Sequence, residues 1–317
     1  MNTIQTNSNY VVFKKSLSVH SEDRDIYQWP DPTQFEITAP VDYKNVVSLR
    51  LNDIEIPSSY YVFSNTNQNT KLTFILNNVK FTIIITSGTY THDQLTKELT
   101  NILNQTISAH MNTTYTHFNV TYNPVNMKLL FINDKDIFQF DFTQAETYDC
   151  DTKITCYDNY TNWGLGSYLG FDKKLYTSAG TLNTIEPEYT LNLYGDKYIY
   201  MELAYYNNID EVMPYAYKSN ASIQPKVGGK HNSAFAKIPL FPNTSVSFSS
   251  RETYLSNIFF SDPPLERIQK FKFKLRHHDG RPVNFNNCNF TFTIEITMLK
   301  PDTIKPFVKV NSSNYHL

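Results

Sequence analysis

The sequence has little glycine and little cysteine. Nine of its 317 residues are Gly and three are Cys, namely Cys150, Cys156 and Cys288. Few glycines argue against a phosphate-binding loop, and few cysteines argue against a disulfide-rich secreted scaffold. The odd number of cysteines, without metal-ligand spacing, predicts three buried thiols in a reducing compartment. It leaves open a disulfide between Cys150 and Cys156.

Long apolar runs and an excess of charge of one sign are also absent. No run approaches the ~20 residues that span a bilayer, and the polar first ten residues do not have the pattern of a signal peptide. There are 28 Lys and Arg against 30 Asp and Glu, whereas dedicated nucleic-acid binders usually carry a clear basic excess. We therefore expect no transmembrane segment and no specific nucleic-acid partner.

No complete catalytic or metal-binding motif is present. The G-x-S-x-G, H-E-x-x-H and paired C-x-x-C patterns are missing. The glycines of the stretch Gly164–Gly170 are spaced one residue too widely for a dinucleotide fingerprint, which favours a packed aromatic turn. We interpret His277–Asp279 as a surface turn, because adjacent side chains on an extended chain point apart and rarely bind one ion. We predict no enzyme activity, no catalytic residue, no metal, no cofactor and no small-molecule substrate.

Aromatic residues are abundant, with 23 Tyr and 22 Phe. Aromatic side chains are common in β-strands and at interfaces that are partly exposed to water. Between Phe271 and Arg276 the chain alternates strictly, with Phe and Leu on one side and Lys and Arg on the other, which predicts an amphipathic strand. The alternation resumes from Phe290 to Met298 after a polar connection. We expect these two strands to form an antiparallel pair with one buried face.

Two further strands are predicted near the beginning of the chain, at 34–40 and 46–56. In the second strand the apolar residues stand at odd positions up to Leu51 and at even positions from Ile54 onward. A bulge near Asn52 would place Ile54 on the same side as the earlier apolar residues.

A different pattern follows between residues 71 and 142. A hairpin leads into apolar residues at helical spacing, and three short strands come after them. Thr91 is the predicted N-cap, and Gln94 stands three residues later, as in a capping box. This order of elements predicts a small α+β module.

The predicted fold class is mainly β, a jelly-roll-like antiparallel β-sandwich with the small α+β module inserted into it. The expected organisation is a flexible N-terminal arm at 1–20, a β-sandwich formed by 21–70 and 190–300, the α+β insertion at 71–142, a loop-rich connection at 143–189, and a C-terminal tail at 301–317.

Five basic residues near the end of the chain are the one concentrated charge feature: Lys270, Lys272, Lys274, Arg276 and Arg281. The first four follow one face of a predicted strand. One interpretation is a solvated face that protects a sheet edge from aggregation. The functional hypothesis is that these residues dock an acidic partner surface or a nucleic acid.

Several stretches carry a resemblance to a known family: Ser21–Asp25, Trp29–Pro32 with Phe35, Tyr43–Leu51, Trp163–Phe171, Tyr198–Asp210 and Phe271–Arg281. Together they resemble the minor capsid proteins of the nucleocytoplasmic large DNA viruses, the giant viruses. The resemblance spans about residues 20–300 and contains no catalytic motif.

The resemblance implies a structural component of an icosahedral virion, either a minor capsid (cement) protein or a vertex (penton) protein. The implied partners are the major capsid protein, other minor capsid proteins and further copies of the same chain. The implied location is the capsid of the virion, after assembly in the host cytoplasm. The alternative is a carbohydrate- or receptor-binding β-sandwich module of a virion, in which Tyr-rich loops would stack on sugars.

Overall fold

A computed structural model of the protein describes residues 10–57, 59–143, 163–212, 231–240, 246–249, 257–278 and 280–301. In these ranges the chain forms two α-helices, α1 (His92–Met111) and α2 (Leu165–Leu169), and a 3-10 turn at Ser21–Asp23. The strands are β1 (Tyr10–His20), β2 (Gln34–Ile56), β3 (Lys71–Leu76), β4 (Val79–Ile84), β5 (Phe118–Asn123), β6 (Lys128–Asn133), β7 (Phe138–Asp141), β8 (Leu175–Thr177), β9 (Thr184–Ile185), β10 (Tyr198–Leu203), β11 (Ile209–Val212), β12 (His231–Ala234), β13 (Ala236–Pro239), β14 (Val246–Ser249), β15 (Ile258–Arg276) and β16 (Thr291–Pro301).

Strand β2 is the centre of the large sheet, because both of its edges are paired. Strand β16 pairs with one edge, and β14 and β15 pair one after the other with the opposite edge. The order of the sheet is β1-β16-β2-β15-β10-β13. The predicted direct pairing of β15 with β16 is therefore wrong, since β2 lies between them. The connection from His277 to Phe290 is long enough to cross the two strand spacings of about 10 Å that separate them.

A bulge sets the buried face of β2. Thr293 faces Asp53 and Ile294 faces Leu51, so Asn52 has no opposite residue on β16. The extra residue brings Ile54 to the same side as Leu51, and both side chains are fully buried. The predicted bulge at Asn52 is confirmed.

The expected flexible arm is wrong for residues 10–20, which form β1. Strand β1 pairs with β16 without interruption, beginning with Tyr10 opposite Pro301. Leu17 and Val19 of this strand are buried in the core. The sequence did not reveal the strand because apolar residues occupy both faces of its first half, which hides the alternation. Residues 1–9 and 302–317 lie outside the described ranges.

Strand β15 runs without a break from Ile258 to Arg276, whereas the alternation in the sequence predicted only its last part, from Phe271. The adjacent prolines Pro263 and Pro264 obscured the middle of the strand. Proline is tolerated in a sheet where a ladder hydrogen bond is already missing. The register with β2 shifts between Phe260 and Leu265, around these prolines.

Residues 71–142 form the predicted hairpin, helix and three strands, but the strands belong to two separate sheets. One sheet has the order β4-β3-β7-β8 and the other has the order β5-β6-β9. Helix α1 packs against β4 and β5. Strands β8 and β9 come from the segment 143–189, for which a loop-rich connection was expected. This segment therefore completes both small sheets.

The N-terminus of α1 is closed by the predicted capping box. The backbone N–H of Gln94 donates to Oγ1 of Thr91 at 3.3 Å, and the backbone N–H of Thr91 donates to Oε1 of Gln94 at 3.0 Å. These two bonds satisfy backbone donors that a helix leaves without internal partners. The buried face of the helix consists of Leu95, Leu99, Leu103 and Ile107.

The glycine-rich stretch after Trp163 contains the short helix α2 rather than a simple turn. The helix ends at Leu169 and is capped by Gly170, whose φ is 93°, and a Cβ at Gly170 would meet the backbone carbonyl of Tyr189. Tyr168 and Phe171 are buried in the core. The packed aromatic environment is as predicted, and glycine is required where the chain turns back on itself.

Every strand pairing in the described residues is antiparallel. The predicted class, a mainly β fold with antiparallel sheets, is confirmed. One continuous hydrophobic cluster joins the large sheet to the two small sheets and to α1. In the part of the chain that the structure describes, no helix has the length and apolar character to cross a membrane.

The cysteines were expected to be buried. Cys288 is exposed and free, so the expectation is wrong for this residue. It lies in the connection between β15 and β16. Cys150 and Cys156, and the disulfide between them that the sequence left open, lie outside the described ranges.

We expect Thr91→Ala to destabilise the protein by about 1 kcal/mol, because it removes the hydroxyl that caps α1. Urea unfolding measures the change. The matched control is Thr106→Ala on the same helix, where Oγ1 donates to the carbonyl of Ile102. Such back-bonding does not stabilise a helix, so the control should be neutral or slightly stabilising. Equal losses in both variants would contradict the role of the capping box.

Candidate partner-docking site on strand β15

Three of the five predicted docking residues lie on the outer face of β15. Lys270 and Lys272 are exposed and Lys274 is half-buried. The intervening residues Phe271 and Phe273 are buried on the opposite face. The alternation in the sequence therefore predicted the two faces of this part of the strand correctly.

Each of these three lysines has a partner within the chain. Nζ of Lys270 lies 3.0 Å from Oε1 of Glu36. Nζ of Lys272 lies 5.1 Å from the ring centroid of Trp29, within the range of a cation–π contact. Nζ of Lys274 lies 3.8 Å from Oε2 of Glu202. The charge of the strip is thus partly balanced, although Lys270 and Lys272 still face solvent.

Arg276 does not belong to the exposed strip, which corrects the prediction. Its side chain is 0% exposed and forms an ion pair with Glu202. Nη2 of Arg276 also lies 2.7 Å from Oε2 of Glu211 on β11. The hairpin β11–β12 covers this end of the sheet, so the outward direction of Arg276 leads into protein rather than into water.

Arg281 is also used inside the fold, which corrects its predicted docking role. Nη1 of Arg281 donates to Oδ1 of Asn67 at 2.7 Å, and Nη2 lies 3.1 Å from Oδ2 of Asp196. Asn67 belongs to the segment before β3, whereas Arg281 follows β15. The arginine therefore ties the large sheet to the chain that leads into the small sheets.

His277 is buried, so the predicted surface turn is wrong at its first residue. Its Nδ1 lies 2.9 Å from Oδ2 of Asp196, although the ring is not aligned to donate a hydrogen bond. His278 is exposed and contacts Glu211 through its Nδ1. The two histidines point apart, as expected for adjacent residues on an extended chain. Asp279 lies outside the described residues.

The carboxylates of this cluster could not be assigned from the sequence. Glu202 lies on β10, Glu211 lies on β11, and Asp196 lies in the loop before β10. No local spacing connects them to β15, and only the strand order brings them together. Tyr200 lies beside the cluster, and its pKa is raised to about 12 by burial and by the negative charge of Glu211. It therefore stays protonated at neutral pH and serves as packing.

A second feature of this surface was missed by the sequence analysis. The turn from Arg24 to Pro30 precedes β2, and the side chains of Ile26 and Tyr27 at its tip are 56% and 95% exposed. Because Lys272 contacts Trp29, the turn lies beside the outer face of β15. We call Ile26, Tyr27, Lys270 and Lys272 the docking surface.

The turn is held from both of its ends. Arg24 donates through Nε to the carbonyl of Trp29 at 3.0 Å and through Nη2 to the carbonyl of Pro30 at 3.2 Å. Its Nη1 donates to Oδ1 of Asn289 at 2.7 Å, which anchors the turn to the chain before β16. Oδ1 of Asp25 accepts the N–H of Tyr27 at 2.9 Å. The exposed side chains of Ile26 and Tyr27 are therefore presented by a well-bonded backbone.

The described residues show no catalytic arrangement around the docking surface. No group of three or more His, Cys, Asp or Glu in these ranges is placed to hold a metal ion. The buried Arg276 and Glu211 form an ion pair with each other.

Comparison with known proteins places residues 2–261 in a family described as "Family of unknown function (DUF5901)". Among curated proteins, none matches the chain. Among solved structures, the mavirus penton protein is similar at 9% identity and a TM-score of 0.41, over 91% of this chain and 99% of that chain. A chain in the cryo-EM structure of the Sputnik virophage is similar at 12% identity and a TM-score of 0.41, over 90% of this chain and 98% of that chain. TM-scores of this size do not establish a shared fold or assign a function.

We expect Arg276→Met to destabilise the protein by about 3 kcal/mol, because it leaves the carboxylates of Glu202 and Glu211 without their buried partner. The matched control is Lys272→Met on the same face of β15, which should cost less than about 1 kcal/mol because Lys272 is exposed. Denaturant unfolding of both variants measures the difference. Equal costs would contradict a structural role for Arg276.

We expect Asp196 to stabilise the fold only above the usual pKa of a carboxyl group. Burial opposes its ionisation, but His277 and Arg281 outweigh burial and lower the pKa of Asp196 below 3.8. A lowered pKa in the folded state stabilises it above the unfolded value, and this contribution is lost as the pH falls through the folded value.

Asp196→Asn should therefore be less stable than the wild type at neutral pH. The difference should shrink as the pH falls from about 5 to about 3, where the wild type loses its contribution. Urea unfolding across this range measures it, with Asp210→Asn, an exposed carboxyl, as the control. A difference that is independent of pH would refute the assignment.

Proposed function

Because the chain belongs to DUF5901, a family of unknown function, we propose a function from its own residues: it is a structural component of a virus capsid that binds neighbouring capsid proteins. The observation that carries this proposal is the docking surface. A well-bonded turn presents Ile26 and Tyr27 to solvent beside two exposed lysines of β15.

Physical chemistry favours protein binding at such a surface. Tyrosine is enriched among the residues that dominate binding energy, since it combines a large apolar ring with a hydroxyl group. A turn that is already ordered loses little conformational freedom on binding. Lys270 and Lys272 at the rim would favour an acidic neighbour and increase the rate of association more than the final affinity.

The finer proposal follows the resemblance in the sequence. The chain is a minor capsid (cement) protein or a vertex (penton) protein, its partners are the major capsid protein and other minor capsid proteins, and it is located in the virion after assembly in the host cytoplasm. In support, residues of the resembling stretches hold the fold together: Arg24 fixes the turn and Arg276 and Arg281 fix the sheet. A protein of a capsid shell needs a fold that side-chain contacts hold in one conformation.

We propose no catalytic activity for the chain. The carboxylates that the fold brings together here are engaged in ion pairs, Glu202 and Glu211 with Arg276 and Asp196 with Arg281. Arg276 itself is inaccessible to solvent. A catalytic acid or base needs access to its substrate.

The experiment is incorporation into particles. The wild-type chain should be found by mass spectrometry in purified virus particles, and cryo-EM should place Ile26 and Tyr27 against a neighbouring capsid protein. Ile26→Ser combined with Tyr27→Ser should reduce incorporation at least ~10-fold, as expected for loss of two central interface side chains.

The matched control is Val125→Ser, because Val125 is 90% exposed in the turn between β5 and β6, which belong to a different sheet from β15. It should incorporate normally. Absence of the wild-type chain from particles would refute the capsid function. Normal incorporation of the double variant would leave the function standing and refute the docking surface.

A further inference from the structure

Strand β1 is an edge of the large sheet, and no described strand pairs with its outer side. Its pairing with β16 runs over eleven residues without a register shift. Bulges, prolines and short length are the usual devices that prevent an edge from pairing with another chain. Strand β1 contains none of these three, so its outer backbone groups form a regular template.

On the side of β1 that faces the core, apolar residues continue along the strand beyond the buried ones. Leu17 and Val19 on this side are buried, with exposures of 7% and 2%. Phe13 and Val11 lie on the same side of the strand, since they are separated from Leu17 by even numbers of residues. They are 41% and 52% exposed. The apolar face therefore continues past the buried core, where Nζ of Lys300 lies 3.9 Å from the ring centroid of Phe13.

Charged residues commonly protect an edge, but the two lysines of β1 are turned onto their own sheet. Nζ of Lys14 lies 2.9 Å from Oε1 of Glu295 on β16. Nζ of Lys15 lies 5.8 Å from the ring centroid of Tyr43 on β2. Neither ammonium group is directed along the outer edge, so their repulsion of an incoming strand is weakened.

The sequence of β1 is complementary to itself. When two identical strands pair antiparallel, one residue faces its own copy at the two-fold axis, and residues equally distant from it face each other. With Val12 at the axis, Val11 faces Phe13 of the partner subunit, and Tyr10 faces Lys14 of the partner subunit. Apolar residues meet on one side, a cation meets an aromatic ring, and like charges are kept apart. Axes at Lys14 or Lys15 would instead place two lysines opposite each other.

We propose that β1 binds β1 of a second copy of this chain, antiparallel and centred on Val12, so that the two large sheets form one continuous sheet. The proposal commits to a second copy because Val11, Val12 and Phe13 are exposed on both partners and face one another across the axis. It does not rest on the capsid function, since it concerns a different edge of the molecule.

Analytical ultracentrifugation of the full-length chain over a wide range of concentrations tests this inference. The wild type should show a reversible monomer–dimer equilibrium. Val12→Lys should raise the dissociation constant at least ~10-fold, because it places two ammonium groups at the axis. Val125→Lys is the matched control: Val125 is 90% exposed in the turn between β5 and β6, and its substitution should leave the dimer unchanged.

Hydrogen exchange gives a second measurement that does not depend on a variant. Backbone amides of residues 10–14 should become more protected as the wild-type concentration rises, whereas those of α1 should not change. A monomer at every concentration, or a dimer that is insensitive to Val12→Lys, would overturn the proposal. Protection of residues 10–14 that is independent of concentration would also overturn it, by showing that the chain covers its own edge.

Discussion

The pairing of β2 on both edges is the constraint on which the large sheet depends. Strand β2 lies in the first fifth of the chain, whereas β14, β15 and β16 all lie after residue 245. Their pairing closes a loop that contains the two small sheets and α1. Because loop-closure entropy opposes such distant contacts, the sheet requires the burial of many apolar side chains at once. Strand β1 pairs with β16, β10 pairs with β15, and β13 pairs with β10.

The second stabilising element is the buried charge cluster at the end of β15. Arg276 is fully buried between Glu202 and Glu211, and Arg281 contacts Asp196 nearby. Removing such charges from water is costly, and the pairs contribute mainly by being mutually satisfied. Their value is specificity: an alternative register of β10 or of the β11–β12 hairpin would leave an arginine or a carboxylate unpaired. The same requirement explains why only part of the basic strip faces solvent.

Local features could be predicted from the sequence, and features that depend on distant partners could not. The capping box of α1 needs only Thr91 and Gln94, and the bulge at Asn52 follows from a change of parity within one strand. By contrast, the alternation at 271–276 identifies a strand but not its neighbour. The sequence therefore predicted that β15 pairs directly with β16, whereas β16 pairs with β2. Arg276 and Lys272 stand on the same face in the alternating pattern, and only the position of β11 in the fold shows that Arg276 is buried. The turn at Ile26 and Tyr27 was missed because exposure of an apolar residue has no signature in the local sequence.

The first and last described strands are neighbours, and this arrangement determines how the molecule would respond to mechanical load. Tyr10 lies opposite Pro301, so the two ends of the described chain leave the sheet at the same corner. A force that pulls these ends apart would act across the β1–β16 ladder and load its hydrogen bonds one rung at a time. Each rung contributes only about 1 kcal/mol, so β1 would peel away at low force while β2 and its long partners remained in place. Tension carried through both ends would thus detach the edge strand before it deformed the core.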